Sequence, residues 1–161
     1  MTLRVVEIVE GTAVDGPGLR TAIYFAGCRH RCPGCHNPQT WPEDAGKDMT
    51  VDEIMEAIQT AGFNVTFTGG DPLYQMPGLL TLAELIRLSG KTIWCYTGFT
   101  YEEIITSPQL APILNVVDVL VDGRFEAAQA DLALRFRGSS NQRLIDCRLS
   151  TPDKIVLWDK N

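Results

Sequence analysis

Three of the chain's five cysteines lie within eight residues, at Cys28, Cys32 and Cys35. Their spacing is Cys-x3-Cys-x2-Cys, and no fourth cysteine lies near them in the sequence. Thiolates are the standard ligands of iron–sulfur clusters and are also common ligands of zinc. Three thiolates can hold a metal centre and leave one coordination position open, which is typical of a reactive centre rather than of a structural one.

Two histidines in the same loop keep a structural zinc site open as an alternative, because His30 or His36 could supply a fourth ligand. Zinc sites usually combine two short ligand pairs from separated segments, whereas here every candidate ligand lies in one loop. A disulfide is a weaker alternative, since clustered cysteines in a reducing compartment bind metal more often than they pair. A 4Fe-4S cluster with one iron free of protein ligands fits the three cysteines best.

The composition predicts a cytoplasmic protein with a single domain over residues 1–161. Apolar residues make up 45% of the chain, and no apolar run approaches the roughly 20 residues that span a bilayer. The first residues lack the apolar stretch of a secretory signal. Because the net charge is −6, we expect no direct contact with nucleic acid, and we expect no membrane partner.

Signals for strands and helices alternate along the chain. Alternating, β-branched or apolar segments predict strands at 4–9, 21–26, 64–68, 91–96 and 116–121, with further candidate strands at 143–147 and 155–158. Capping boxes at Thr50 and Thr100 predict two helix starts, and another helix covers 78–89. The chain is too short for the ~250 residues of eight βα units. We therefore expect an α/β fold, built as a partial (open) parallel βα barrel.

Polar loops that contain glycine follow four of the predicted strands. They are the cysteine loop from Gly27, Gly69-Gly70-Asp71, Thr97-Gly98 and Asp122-Gly123-Arg124. The carboxyl ends of parallel strands lie at one edge of a sheet, where α/β proteins build their binding sites. We therefore expect these loops to form one site beside the cysteines.

Several segments resemble a known family. The cysteine spacing after an early strand, with Gly69-Gly70-Asp71-Pro72 after a later one, resembles the radical S-adenosylmethionine superfamily. Within that superfamily, VDGPGLR at 14–20 resembles the activases of glycyl-radical enzymes. Nearly the whole chain is similar to the activating proteins of anaerobic (class III) ribonucleotide reductases, most clearly GCRHRCPGCHN at 27–37 with Thr40-Trp41, VLVDGRF at 119–125 and LRFRGSSNQR at 134–143.

This resemblance implies a mechanism. Cys28, Cys32 and Cys35 would ligate a 4Fe-4S cluster, and S-adenosylmethionine would bind its fourth iron. One electron would cleave S-adenosylmethionine into methionine and a 5′-deoxyadenosyl radical. The radical would take a hydrogen atom from a glycine Cα of the anaerobic ribonucleoside-triphosphate reductase, its protein partner. A donor such as flavodoxin or ferredoxin would supply the electron.

The resemblance also implies which residues surround S-adenosylmethionine. It places Gly34, Cys35 and His36 along the adenine, Gly69, Gly70 and Asp71 at the methionine ammonium, and Thr97 and Asp122 at the ribose or another polar group. Several relatives have Tyr where this chain has His36. An imidazole could still bracket the adenine, although its protonation would then matter near neutral pH.

Other residues receive less specific predictions. Cys95 and Cys147 lie in apolar strands or at their ends, so we expect buried small hydrophobes rather than ligands. His30 is expected to be an ordinary loop residue, because no ligand is missing once the nucleotide binds. We expect Trp41, Trp94 and Trp158 to be packing residues, and Arg135, Arg137 and Arg143 to contact the partner or close over the site.

Two alternative functions stay open at this point. Another small radical enzyme, similar to a pyruvate formate-lyase activase or to a 7-deazaguanine synthase, would share the cysteine loop, although the segment 134–143 argues against both. A zinc-binding adaptor is the alternative outside radical chemistry. Uptake of iron and sulfide, rather than zinc, separates it from the enzymes.

Overall fold

The computed structural model describes residues 1–159, so residues 160 and 161 of the predicted domain lie outside the described residues. Seven strands of this part of the chain form one sheet. Their bounds are β1 Thr2–Thr12, β2 Arg20–Phe25, β3 Lys47–Thr50, β4 Asn64–Gly69, β5 Ile93–Tyr96, β6 Val119–Asp122 and β7 Arg143–Asp146. In space they follow the order β3-β1-β2-β4-β5-β6-β7.

The central strands of the sheet run parallel. β2 pairs with β4, β4 with β5 and β5 with β6 in this way. By contrast, β1, β3 and β7 join antiparallel at the two sides. Parallel neighbours need crossover connections, which contain the helices α1 Val51–Ala61, α2 Gly78–Leu88 and α3 Tyr101–Ile105. The sheet has two open edges, at β3 and β7, which confirms the predicted α/β fold with an open parallel arrangement.

Two helices begin where the capping pattern predicts. The Thr50 hydroxyl accepts a hydrogen bond from the backbone N–H of Glu53, whose carboxylate accepts one from the Thr50 N–H. Thr100 and Glu103 repeat this arrangement at the start of α3. At the other end of α1, Gly62 adopts the left-handed conformation with φ of 80°, which favours glycine.

The margins of the sheet differ from the sequence prediction. β3 is formed by the polar segment Lys47–Thr50, which carries no apolar run, and it pairs with the start of β1. The candidate strand at 155–158 is wrong, because Leu157 makes only an isolated bridge with Ile145. Both differences arise at the margin of the sheet, where pairing depends on a neighbouring strand more than on local sequence.

The two faces of the sheet are covered differently. Ile93 and Cys95 belong to the large core that contains the buried faces of α1 and α2. Trp94 points to the opposite face, where it packs with Phe136 and Trp158 at ring centroid distances of 5.3 and 4.9 Å. This division follows from the alternation of side chains along a strand. It confirms Cys95, Trp94 and Trp158 as packing residues.

The extent of the domain and the location of the protein stay predictions. Within residues 1–159, the structure contains no helix that is long and apolar enough to cross a membrane. The strands of the sheet lie between Thr2 and Asp146, so most of the described chain belongs to this sheet or to the segments that connect its strands.

Candidate active site

A cavity of about 380 Å³ opens at the carboxyl edge of the parallel strands. It brings together most of the predicted site residues, namely Cys28, Cys32, Cys35, His36, Gly69, Gly70, Asp71 and Thr97. Gly34 and Asp122 do not line it. The expectation that loops after several strands form one site is therefore met for the loops after β2, β4 and β5, and the loop after β6 reaches the cavity through Gly123.

The cysteine loop is fixed at its base by backbone hydrogen bonds. The N–H of Gly27 donates to the carbonyl of Thr40 at 2.8 Å, and that of Cys28 donates to the carbonyl of Trp41 at 3.1 Å. A turn joins the other two cysteines, and in it the N–H of Cys35 donates to the backbone carbonyl of Cys32 at 3.1 Å. All three thiols are free and partly exposed. In the described part of the chain, no three His, Cys, Asp or Glu side chains converge closely enough to hold a metal ion as they stand.

The surroundings of the sulfur atoms fit an iron–sulfur cluster. Burial raises the pKa of the Cys28 thiol, whereas the backbone N–H groups of His30 and Arg31 lower it. The N–H of Asn37 donates to the Cys35 sulfur at 3.4 Å. Hydrogen bonds of this kind stabilise thiolates and tune the potential of the clusters that they bind. Three thiols along one cavity, two of them with N–H donors, thus form a suitable donor set.

The two glycines after β4 are required by a close approach of backbones. A Cβ on Gly70 would lie 2.5 Å from the carbonyl oxygen of Gly27 and 3.0 Å from that of Thr40. Gly69 has φ of 103°, and a Cβ there would lie 2.4 Å from the nitrogen of Phe25. Only glycine fits these contacts. The Gly-Gly pair therefore lets the end of β4 lie directly against the base of the cysteine loop.

The carboxylate of Asp71 is buried and surrounded by donors. Its side chain is 1% exposed. It accepts hydrogen bonds from the Thr97 hydroxyl at 2.8 and 3.0 Å, the Gly98 N–H at 2.9 Å and the Leu73 N–H at 3.0 Å. Nε2 of His30 lies 2.6 Å from the same carboxylate. Contact between Asp71 and a methionine ammonium stays a prediction, and such a ligand would meet a carboxylate that already has four partners.

The prediction that His30 is an ordinary loop residue is wrong. Its side chain is only 4% exposed, and its ring centroid lies 4.7 Å from that of Phe99 and 5.4 Å from that of Tyr74. The spacing of the loop contains no signal for this burial. It depends on strand ends that are 41 and more residues away in the sequence.

His36 and Gly34 border a second aromatic contact. The ring centroid of His36 lies 5.2 Å from that of Phe125, and both residues line the cavity. Gly34 has φ of 79°, and a Cβ there would lie 3.3 Å from Cε2 of Phe125. Phe125 is a cavity residue that sequence reasoning did not assign to the site. The roles of Gly34 and His36 along an adenine stay predictions.

Asp122 points away from the cavity, which argues against its predicted contact with a ribose. Its carboxylate accepts hydrogen bonds from the Tyr101 N–H at 2.8 Å and from Nη2 of Arg143 at 2.5 Å. The alternation of side chains in β6 explains the orientation, because Asp122 and Leu120 face α3 while Val121 faces the other side. Asp122 thus fixes the start of α3.

The arginines of the C-terminal segment are tied into the fold. Arg143 also binds Glu102 at 2.6 Å, and the guanidinium of Arg137 donates to the backbone carbonyls of Ser140 and Gln142 at 3.2 and 2.5 Å. Arg137 lines the cavity. Contact of these arginines with a partner stays a hypothesis, and for Arg143 the structure already supplies a role within the fold.

The VDGPGLR segment brings Asp15 to the cavity, a site residue that sequence reasoning did not assign. Buried Arg20 donates from Nε to the Thr66 hydroxyl at 2.9 Å and from Nη2 to the Val65 carbonyl at 2.8 Å. The Thr66 hydroxyl in turn donates to the Asp15 carbonyl at 2.8 Å. Burial lowers the pKa of Arg20 to about 10 and raises the pKa of Asp15. Arg20 therefore anchors the loop that carries Asp15.

Comparison with known proteins assigns the chain to a family. A family model described as a 4Fe-4S single cluster domain matches residues 14–145. The chain is 37% identical over 139 residues to the anaerobic ribonucleoside-triphosphate reductase-activating protein of Salmonella typhi, covering 80% of this chain and 89% of that protein. It is 36% identical to the protein of the same name from Escherichia coli (strain K12), with the same coverage. The chain belongs to this family.

A relative from a phage and one solved structure extend the comparison. The activating protein of Enterobacteria phage T4 is 35% identical over 140 residues, covering 81% of this chain and 86% of that protein. QueE from Escherichia coli aligns with a TM-score of 0.52 at 21% identity, over 62% of this chain and 54% of QueE. The chain thus spans about half the length of QueE, with which it shares the fold.

Membership of the activating-protein family confirms the predicted recognition and the class of enzyme. The 4Fe-4S description of the matching model favours an iron–sulfur cluster over the zinc-binding adaptor. It also agrees with the donor set of three thiols along the cavity.

Proposed function

We propose that this chain activates an anaerobic ribonucleoside-triphosphate reductase by generating a glycyl radical on it. The observation that carries the proposal is the cavity of a 4Fe-4S family member, where three free thiols meet the Gly-Gly-Asp end of β4. Relatives that share more than a third of their aligned residues with this chain bear the name of that activity.

Cys28, Cys32 and Cys35 would hold the cluster through their sulfurs, and the free iron would take S-adenosylmethionine. The chemistry that a bound cluster would supply is the one-electron cleavage of S-adenosylmethionine to methionine and a 5′-deoxyadenosyl radical, which would take a hydrogen atom from the glycine Cα of the reductase and become 5′-deoxyadenosine. The residues of the chain would orient the nucleotide, exclude water and bind the segment that carries the glycine.

The chain's own groups are suited to hold the nucleotide. Gly69 and Gly70 line the cavity with backbone only, which leaves room beside the cysteine loop. The rings of His36 and Phe125 provide a surface for a base, since aromatic side chains stack on the π-face of any base. Trp41 and Phe136 add apolar area to the cavity wall, which limits water near a reactive radical.

Two partners complete the proposal. The segment of the reductase that carries the glycine must reach the cavity, because a carbon radical can abstract hydrogen only at contact distance. An electron donor such as flavodoxin or ferredoxin must deliver one electron per turnover. Both would act in the cytoplasm.

The decisive experiment is anaerobic mixing of the iron-reconstituted protein with its cognate reductase, a reductant and S-adenosylmethionine. EPR should then reveal the doublet of a glycyl radical on the reductase. Release of 5′-deoxyadenosine without that doublet would point to another small radical enzyme. A colourless protein that takes up zinc in preference to iron and sulfide would contradict radical chemistry altogether.

A further inference from the structure

We propose that His30 is a positioning residue: its contact with Asp71 locks the cysteine loop onto the ends of β4 and β5 and holds Cys28 in place for the cluster. The inference rests on the proposed function in one respect, namely that the three cysteines hold a cluster. It concerns His30, to which neither the family resemblance nor the cysteine spacing assigns a role in the site.

A backbone contact connects the cysteine loop to the end of β4 on one side of Cys28. The N–H of Asp71 donates to the carbonyl of Gly27 at 2.8 Å. The missing Cβ of Gly70 allows this approach, since a Cβ would lie 2.5 Å from the same carbonyl oxygen. Asp71 therefore contacts the residue that immediately precedes Cys28.

His30 contacts the same aspartate, Asp71, on the other side of Cys28. Its Nε2 lies 2.6 Å from Oδ2 of Asp71, within a pair whose side chains are 4% and 1% exposed. One aspartate thus contacts the loop through its backbone before Cys28 and through its carboxylate after it. Two contacts that bracket a ligand restrict its position more than either contact alone.

Further hydrogen bonds restrain the Asp71 carboxylate in its orientation toward the cysteine loop. Its carboxylate also accepts from the Thr97 hydroxyl at 2.8 Å and the Gly98 N–H at 2.9 Å, which follow β5, and from the Leu73 N–H at 3.0 Å. These donors fix the carboxylate on three sides. The ends of β4 and β5 therefore fix the position of His30 and, through it, the position of the cysteine loop.

The ring of His30 is closely packed by its neighbours. Phe99 and Tyr74 pack against it, and a Cβ on Gly98 would lie 2.5 Å from Cδ2 of His30. The next residue, Arg31, has φ of 51°, a conformation that residues other than glycine rarely adopt. Close packing around the ring therefore limits the movement of His30 within the loop.

The test compares two substitutions of nearly equal shape. His30→Gln keeps an N–H donor that can reach Asp71, whereas His30→Met has a similar length and no donor. Each protein is reconstituted anaerobically, and the rate at which iron passes to an excess of chelator is measured by absorbance. Loss of a group that orients a metal ligand typically costs about 10-fold or more in metal retention. We expect His30→Met to release iron faster than wild type by that factor, and His30→Gln to lie closer to wild type.

Thermal unfolding of the iron-free proteins separates positioning from folding. Both substitutions remove the aromatic packing, so a role through packing alone predicts equal rates of iron release for the Gln and Met variants. Loss of the donor to Asp71 also lowers the stability of the Met variant, so iron release is measured well below the Tm of every variant. Equal rates would overturn the proposal. Arg29→Ala serves as a control in the same loop, because Arg29 is exposed and its contacts are with exposed Glu43 at 2.9 Å and with the Tyr74 ring, whose centroid lies 5.3 Å from the guanidinium, rather than with Asp71. It should retain iron as wild type does.

A second variant covers the case in which His30→Met does not fold. Gly98→Ala leaves both partners in place but puts a methyl group against the His30 ring. It should accelerate iron release as His30→Met does, and an unchanged rate in a folded Gly98→Ala protein would overturn the proposal. Failure of wild-type protein to take up a cluster would instead contradict the proposed function, so the two failures are distinguishable.

Discussion

The phenol of Tyr96 donates a hydrogen bond of 2.6 Å to the backbone carbonyl of Phe136. Tyr96 ends β5, while Phe136 lies in the long segment between β6 and β7, and both residues line the cavity. Phe136 has φ of 65°, a left-handed conformation that a phenylalanine adopts only when its surroundings fix it. This bond therefore fastens the C-terminal segment over the site.

Removal of this bond should loosen that segment. Tyr96→Phe deletes the donor and leaves the carbonyl without its partner, so we expect unfolding to become easier by about 1 kcal/mol. Trypsin should also cut more quickly within residues 126–142, and mass spectrometry of timed digests would measure this. Tyr24→Phe is the matched control, because the Tyr24 hydroxyl makes only a long bond of 3.4 Å to Asp15. Equal digestion of both variants and wild type would contradict the role of Tyr96.

The predictable parts of the fold were those encoded by short-range signals. The capping boxes at Thr50 and Thr100 involve residues three apart, so the sequence alone places both helix starts. The buried strands β4 and β5 are rich in β-branched or aromatic residues and are bounded by glycine or turn residues. The cysteine loop and the Gly-Gly-Asp turn follow such strands, which is why their convergence on one cavity could be anticipated.

The parts that escaped prediction depend on contacts between distant segments. Asp122 follows an apolar strand as the other polar residues do, but whether it faces the cavity or α3 depends on the phase of β6. His30 has no sequence neighbour that explains its burial, since its partner Asp71 lies 41 residues away. Asp15 reaches the cavity because Arg20 is buried, and a charged residue without a carboxylate partner is not expected in a core.

Four of the five cysteines should separate cleanly by iron content. Substitution of Cys28, Cys32 or Cys35 by Ala removes a thiol that lines the cavity, so we expect reconstituted protein to lose its cluster and the EPR doublet on the reductase. Cys95→Ala should keep both, because Cys95 is fully buried in the core away from the cavity lining. Its cost should be confined to stability, on the order of 1 kcal/mol for a small cavity.

Iron and sulfide analysis after anaerobic reconstitution is the measurement for this series. Normal iron content in any one of the Cys28, Cys32 or Cys35 variants would show that the residue is not a ligand. Loss of iron from Cys95→Ala with its fold intact would contradict the assignment of Cys95 to the core.

Two glycines of the VDGPGLR segment should differ in their tolerance of alanine. Both have positive φ, 135° at Gly16 and 70° at Gly18, so each substitution carries some backbone strain. Only at Gly16 would the new Cβ collide, lying 2.8 Å from Cδ of Arg20 and 3.2 Å from Cδ2 of Trp94. Nothing lies within 4 Å at Gly18.

We therefore expect Gly16→Ala to be the more damaging of the two. Gly18→Ala should cost about 1 kcal/mol, as a left-handed residue with a side chain usually does. Gly16→Ala should cost more, because the Arg20 side chain that anchors Asp15 must move. Urea unfolding of the two variants measures the difference, and equal free energies of unfolding would rule out the proposed crowding around Arg20.

Stability at alkaline pH should depend on Cys147. Burial, followed by the charge of Asp146, raises the pKa of its thiol from 9.0 to about 12 in the folded protein. Above pH 9 the unfolded chain loses this proton while the folded chain keeps it, so the folded state binds more protons and stability falls as the pH rises. The contribution is fully present below pH 9 and is lost progressively between the two pKa values, by at most about 1.4 kcal/mol per pH unit.

The test is urea unfolding of iron-free wild type and Cys147→Ala at about pH 8 and about pH 10.5. Burial also raises the pKa of Tyr24 to about 12, so both proteins should lose stability at the higher pH. The loss should be smaller in Cys147→Ala by up to about 2 kcal/mol, because alanine has no proton to release in the unfolded state. Parallel pH dependences in the two proteins would mean that the Cys147 thiol ionises equally readily in the folded and unfolded chains, and its burial beside Asp146 would then have no electrostatic consequence.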